Sequence, residues 1–191
     1  MASKSLLESL NPKGHLEIIK KYSDGREETI LDDHNVITVG MGITLASLFS
    51  TTDTAAAAND FNIAYFQIGS GSSLMVSGVT KLHTALTAAQ YGDSDLSISA
   101  VAIGGTGGAW VKDAAIINPA YVSKTSTTKV TYSLVLEETA AIGVAIKELG
   151  LFSKNPLKEP SALAYLCAYR SFAGISKTEA FALIFKWTLE F

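Results

Sequence analysis

Asp32, Asp33 and His34 stand in a row, followed by Asn35. Carboxylates beside an imidazole are the raw material of a metal site or of general acid–base chemistry. Either site needs groups converging from several elements, whereas neighbours on extended chain point to opposite sides. The stretch therefore reads as a polar corner that interrupts a strand, with Asp and Asn side chains bonding local backbone. Gly69-Ser70-Gly71-Ser72-Ser73 follows an apolar strand, the usual place for a phosphate cradle. It lacks the GxGxxG spacing and has no Gly-Lys-Ser/Thr run, so it reads as a loop. Cys167 is the single cysteine and excludes an internal disulfide; its apolar surroundings make it core rather than nucleophile. His83 has no acidic neighbours and is assigned no role. Serine, histidine and aspartate occur, but no nucleophile elbow does. No residue is assigned to catalysis, metal binding or cofactor binding, and the expectation is a protein that is not an enzyme.

What remains is chemistry of contact. Trp110 stands beside Gly104-Gly105-Thr106-Gly107-Gly108, a tip with four glycines in five residues. A tryptophan there anchors either the loop or a partner. Tyr91-Gly92-Asp93 is the one compact pairing of an aromatic with a carboxylate, as a sugar site requires; Tyr91, Trp110 and Tyr121 are the candidate stacking platforms. Leu6, Leu7 and Leu10 lie in Met1–Lys13, which reads as an amino-terminal arm that packs on a neighbouring subunit, or as a frayed end.

Composition agrees with a binding surface. The chain has 191 residues, 48% hydrophobic and 17% charged, with net charge −3. That length suits one domain, here 14–191 after the arm. The low charged share leaves an exterior of Ser, Thr, Ala and Gly, which is easily desolvated against protein. Basic residues are scattered, so a nucleic-acid backbone is not an expected partner. The amino terminus lacks the apolar core of a signal peptide, and no apolar run reaches the roughly eighteen residues of a membrane span. Assembly in a cytoplasm is expected.

These residues must be positioned mainly by strands. Phe181, Leu183, Phe185, Trp187, Leu189 and Phe191 alternate with Ala182, Ile184, Lys186, Thr188 and Glu190. That period of two belongs to a strand with one buried face, here an unusually aromatic one, and such a strand should lie inside a sheet. His15–Tyr22 and Glu27–Leu31 read as a hairpin about Asp24-Gly25. Val39–Ser50 reads as the helix, capped by Thr38, starting after Gly42 and burying Met41, Leu45, Leu48 and Phe49. Phe61–Ile68 is apolar on both faces, which predicts cover on both sides. Leu96–Ile103, Lys129–Leu136, Val144–Phe152 and Ala162–Phe172 complete the strands. Six to eight strands with short connections predict a mainly β, antiparallel β-sandwich with one or two short helices.

The ordered motifs carry a resemblance. They run from the Asp-Gly hairpin through His34-Asn35-Val36-Ile37-Thr38 with Gly40 and Gly42, to Phe66-Gln67-Ile68-Gly69-Ser70-Gly71. Ile146-Lys147-Glu148-Leu149-Gly150-Leu151-Phe152, Leu166-Cys167-Ala168-Tyr169-Arg170-Ser171-Phe172 and Ile175-Ser176-Lys177-Thr178 follow. The set resembles small virion structural proteins of tailed bacteriophages, of the tail, neck, baseplate or fibre-attachment kind. The resemblance implies a β-sandwich subunit in the virion that forms a symmetric homo-oligomer, docks to other virion proteins and has no catalytic residues. Capsid decoration is an alternative station. A receptor- or carbohydrate-binding sandwich of a tail fibre, with a host surface glycan as partner, is the rival reading.

Overall fold

The aromatic carboxy-terminal strand lies in the interior of a sheet, as its side chains require. In the computed structural model, which describes residues 12–50, 61–92, 98–99, 113–154 and 164–191, β10 (Phe181–Glu190) runs between β1 (Lys13–Tyr22) and β7 (Lys129–Leu136). It is antiparallel to both. Phe181, Leu183, Phe185, Trp187 and Leu189 are all buried, and each large side chain so placed contributes roughly 1.5–3 kcal/mol.

The other strands are β2 (Glu27–Ile37), β3 (Ile63–Gly69), β4 (Ile98–Ser99), β5 (Ala114–Ile116), β6 (Val122–Lys124), β8 (Ala145–Ser153) and β9 (Leu166–Ser176). They form one sheet in the order β4-β5-β3-β8-β9-β2-β1-β10-β7-β6, antiparallel throughout. The protein is thus mainly β, as the alternation predicted. The expected pair of separate sheets gives way to one curled sheet, a half-barrel. β2 is the cause. It pairs with β1 as far as Asn35, then with β9 through Val36 and Ile37. The curl brings β3 over β10: the Phe66 ring lies 5.7 Å from Phe185 and 5.7 Å from Trp187, centroid to centroid.

The predicted corner at Asp32–Asn35 is also corrected, because β2 runs through it unbroken. Pairing places Asp33 and Asn35 on the side of Leu16, and Asp32 and His34 on the side of Glu17 and His15. Arg170, on β9, makes that continuity possible. Its Nη1 donates to the His34 carbonyl at 2.5 Å, and its Nη2 pairs with Asp33 at 2.6 Å. The hairpin turn is as read: Gly25 has φ 85°, and Tyr22 N–H donates to Arg26 O at 2.9 Å.

Helix α1 (Val39–Ser50) starts before its glycines rather than after them. Gly40 is required there. A Cβ on it would stand 2.1 Å from the Leu166 carbonyl oxygen, so only glycine lets α1 approach β9 so closely. Thr38 does not act as a side-chain cap; its hydroxyl donates to the same Leu166 carbonyl. A second helix, α2 (Ala88–Tyr91), is one turn long, with Gln90 Oε1 accepting from Thr87 N–H at 2.9 Å. Segment 70–86 covers the outer side of β8 and β9, where Leu82, Phe152, Leu166 and Tyr169 form a second core with Met75 and Val79. The two-sided burial expected of Phe61–Ile68 is present at Phe66, Gln67 and Ile68, whereas Phe61, Ala64 and Tyr65 are half-buried.

Candidate functional site

The residues that invited catalytic readings are spent on the fold. The Asp32 carboxylate meets the His15 imidazole, and the rings of His15 and His34 meet edge to face at 5.8 Å. They border a shallow cavity of about 280 Å³ with Lys13, Lys129, Thr188 and Glu190. Lys129 pairs with Glu190 across strands at 3.3 Å. No three metal-ligating side chains converge among the described residues. Asp33 is held below the usual carboxylate range by the His34 backbone N–H and by the Arg170 guanidinium. Asn35 accepts from the buried Trp187 indole N–H at 2.8 Å. Its side chain lies over Gly14, where a Cβ would overlap it at 2.0 Å.

The glycine-rich loop serves a buried carboxylate. Glu148 is fully buried on β8 and accepts from His83 N–H at 3.0 Å, Thr84 N–H at 2.8 Å and the Tyr169 hydroxyl at 2.9 Å. Tyr169 also accepts from Ser73 N–H at 2.8 Å. A Cβ on Gly69 would stand 2.6 Å from Glu148 Cγ, so the glycine makes room for the carboxylate. A buried carboxyl group needs partners of this kind, and here they staple segment 70–86 to the sheet. The sequence held a signal for this: a lone carboxylate inside the apolar run Ile146–Phe152.

Cys167 is buried, its thiol pushed up to about 11 by desolvation, which makes it core. Tyr91 is buried and its hydroxyl accepts from Ile68 N–H at 3.1 Å, so it cannot be a stacking platform. Tyr121 keeps that possibility, being 55% exposed. Leu6, Leu7, Leu10 and Trp110 lie outside the described residues, as do the glycine tip and most of Leu96–Ile103.

The surface that folding leaves unexplained is α1. It has no charged residue, and only Gly40, Met41 and Thr44 are buried, against β9 and the core. Met41 is buried and Leu45 packs on the core, as expected, whereas Leu48 and Phe49, expected inward, are exposed. Val39, Gly42, Ile43, Ala46, Phe49 and Ser50 are exposed. Their spacings of three and four make one stripe along the helix. Phe49 is 75% and Val39 50% exposed. The Val39 N–H donates to Ser77 O at 2.9 Å, which sets Leu74 and Val76, also exposed, on the chain beside it. Val39, Ile43, Val79, Thr80, Tyr165 and Leu166 line an apolar cleft of about 150 Å³. A helix apolar on every side belongs in an interior. On this protein its outer side has no cover among the described residues, so the stripe is suited to contact with protein. No helix among the described residues is long and apolar enough to cross a membrane. Comparison with family models, curated proteins and solved structures finds no match for the chain.

Proposed function

We propose that the chain is a non-enzymatic structural subunit of a tailed-phage virion, from the tail, neck or baseplate, working by self-assembly and by docking to neighbouring virion proteins. In this reading the two facing halves of the curled sheet act as a β-sandwich scaffold. The observation that supports it is the uncharged, outward-facing stripe on α1, with Leu74 and Val76 beside it. Contiguous apolar surface of this kind marks protein contact sites. The phage assignment itself rests on the motif resemblance. Light scattering after size-exclusion chromatography tests assembly: a defined oligomer, alone or with adjacent virion proteins, is expected. A monomer at every concentration that ignores those proteins would end this reading.

One observation favours the receptor-binding reading. Tyr121 stands between Pro119 and Val122, which line a groove of about 570 Å³ with Tyr65, Tyr132, Asn62 and Lys154. Aromatic walls with an amide and an ammonium suit a glycan. Array binding lost on Tyr121→Ala would favour that role; a blank array would remove it.

A further inference from the structure

The groove of about 570 Å³ marks a seam that the curl leaves open. Its walls come from opposite ends of the strand order, β3 and β5 on one side and β6 and β7 on the other. The turn Pro119–Tyr121 leads from β5 to β6 and joins the two walls. Ile117 and Val122 give the groove apolar surface, and Asn62, Tyr65, Tyr132 and Lys154 give it polar groups. Lys154 directly follows β8, and its backbone N–H donates to Asn62 O at 2.9 Å, which brings the two residues together. No carboxylate is among the described residues that line the groove. The side chains of Lys154, Tyr65 and Tyr132 make no hydrogen bond or ion pair with the described residues. We propose that this groove takes an anionic sugar, whose carboxylate or sulfate meets Lys154 while its ring lies against the tyrosines. The proposal rests on the receptor-binding reading and names the class of glycan.

Charge, hydrogen-bonding capacity and size support it. An ammonium has three donors and no acceptor, whereas a phenol or an amide can act as either. With no carboxylate beside them, the polar groups of the groove are weighted towards donors. Their complement is a ligand rich in acceptors, and a carboxylate or sulfate is acceptor-only with a charge opposite to that of Lys154. A neutral sugar leaves the ammonium to water and gains nothing from it. A volume of about 570 Å³ falls within the roughly 300–1,000 Å³ of small-molecule sites, and apolar walls with a few polar groups are their usual make-up. One ammonium is too little for a nucleic-acid backbone, which is held by several cations. Lys154 is exposed, so its attraction to the ligand is screened by salt.

The test is an array of glycans in matched neutral, carboxylated and sulfated forms, probed with the full chain. Binding confined to the anionic forms is expected, and the matched pairs tell carboxylate from sulfate. Lys154→Met should weaken that binding by about fivefold while circular dichroism stays native, and Lys154→Arg should keep it. Raising the salt from low to molar concentration should weaken the wild type in the same direction and leave Lys154→Met less affected. Neutral forms bound as well as anionic ones, or anionic binding that survives Lys154→Met, overturns the anion preference and leaves the glycan reading standing. A blank array removes the glycan reading, and this inference with it.

Discussion

At the scale of the residue, the polar groups that look catalytic complete the interior. Trp187 is fully buried and its indole N–H has one acceptor, Asn35 Oδ1. Replacing Asn35 with alanine strands that donor, and such a loss costs about 1–3 kcal/mol. Urea unfolding should show it as a lower midpoint at constant slope; an unchanged midpoint would mean that water replaces the amide. Asp33 supplies a pH signature. Its folded-state pKa lies below its ordinary 3.8, so its contribution is present above that pH and is lost as pH falls through the lower folded value. The stability gap between wild type and Asp33→Asn should therefore be widest near neutrality and close below 3.8. A gap that stays constant with pH would show that shape, rather than charge, makes the Asp33–Arg170 contact.

At the scale of the element, α1 sets the contrast between inside and outside. Its inner side is built of Gly40, Met41 and Thr44, and Thr44 lies 3.6 Å from the Cys167 sulfur. Gly40→Ala should destabilise the protein by about 1–3 kcal/mol, since the added methyl meets backbone and not a side chain that can rotate away. Thermal melting measures this, and a neutral result would mean that α1 can slide off β9. Period-two alternation located β7 and β10 almost to the residue, because a half-buried strand writes its geometry directly into its sequence. It failed for β2. Asp32–Asn35 reads as a break, and only Arg170, distant in sequence, makes an unbroken strand tolerable. The inner face of α1 was legible at Met41 and Leu45, but the burial expected of Leu48 and Phe49 was not found.

At the scale of the whole molecule, the curl creates an interior in which burial opposes the ionisation of tyrosine. Burial pushes Tyr132 up to about 12 and raises Tyr91 further. A phenol whose pKa is raised by folding contributes stability that is complete below 10 and is lost as pH rises through its folded value. Absorbance titration should show these tyrosines ionising later than free tyrosine, and Tyr132→Phe should flatten the alkaline loss of stability. Titration of every tyrosine together near 10, with the fold intact, would contradict the burial described. The sequence by itself determined the strand-rich class, the central place of the aromatic carboxy-terminal strand, the Asp-Gly hairpin and the burial of Cys167. All of these depend on side-chain period or on a turn of a few residues. Tertiary structure alone decided that the strands form one curled sheet, that Glu148 holds segment 70–86, and that α1 turns its apolar stripe outward. Those outcomes depend on which distant residues meet, Arg170 with Asp33, Glu148 with Thr84 and Gly40 with Leu166, and no local spacing specifies such meetings.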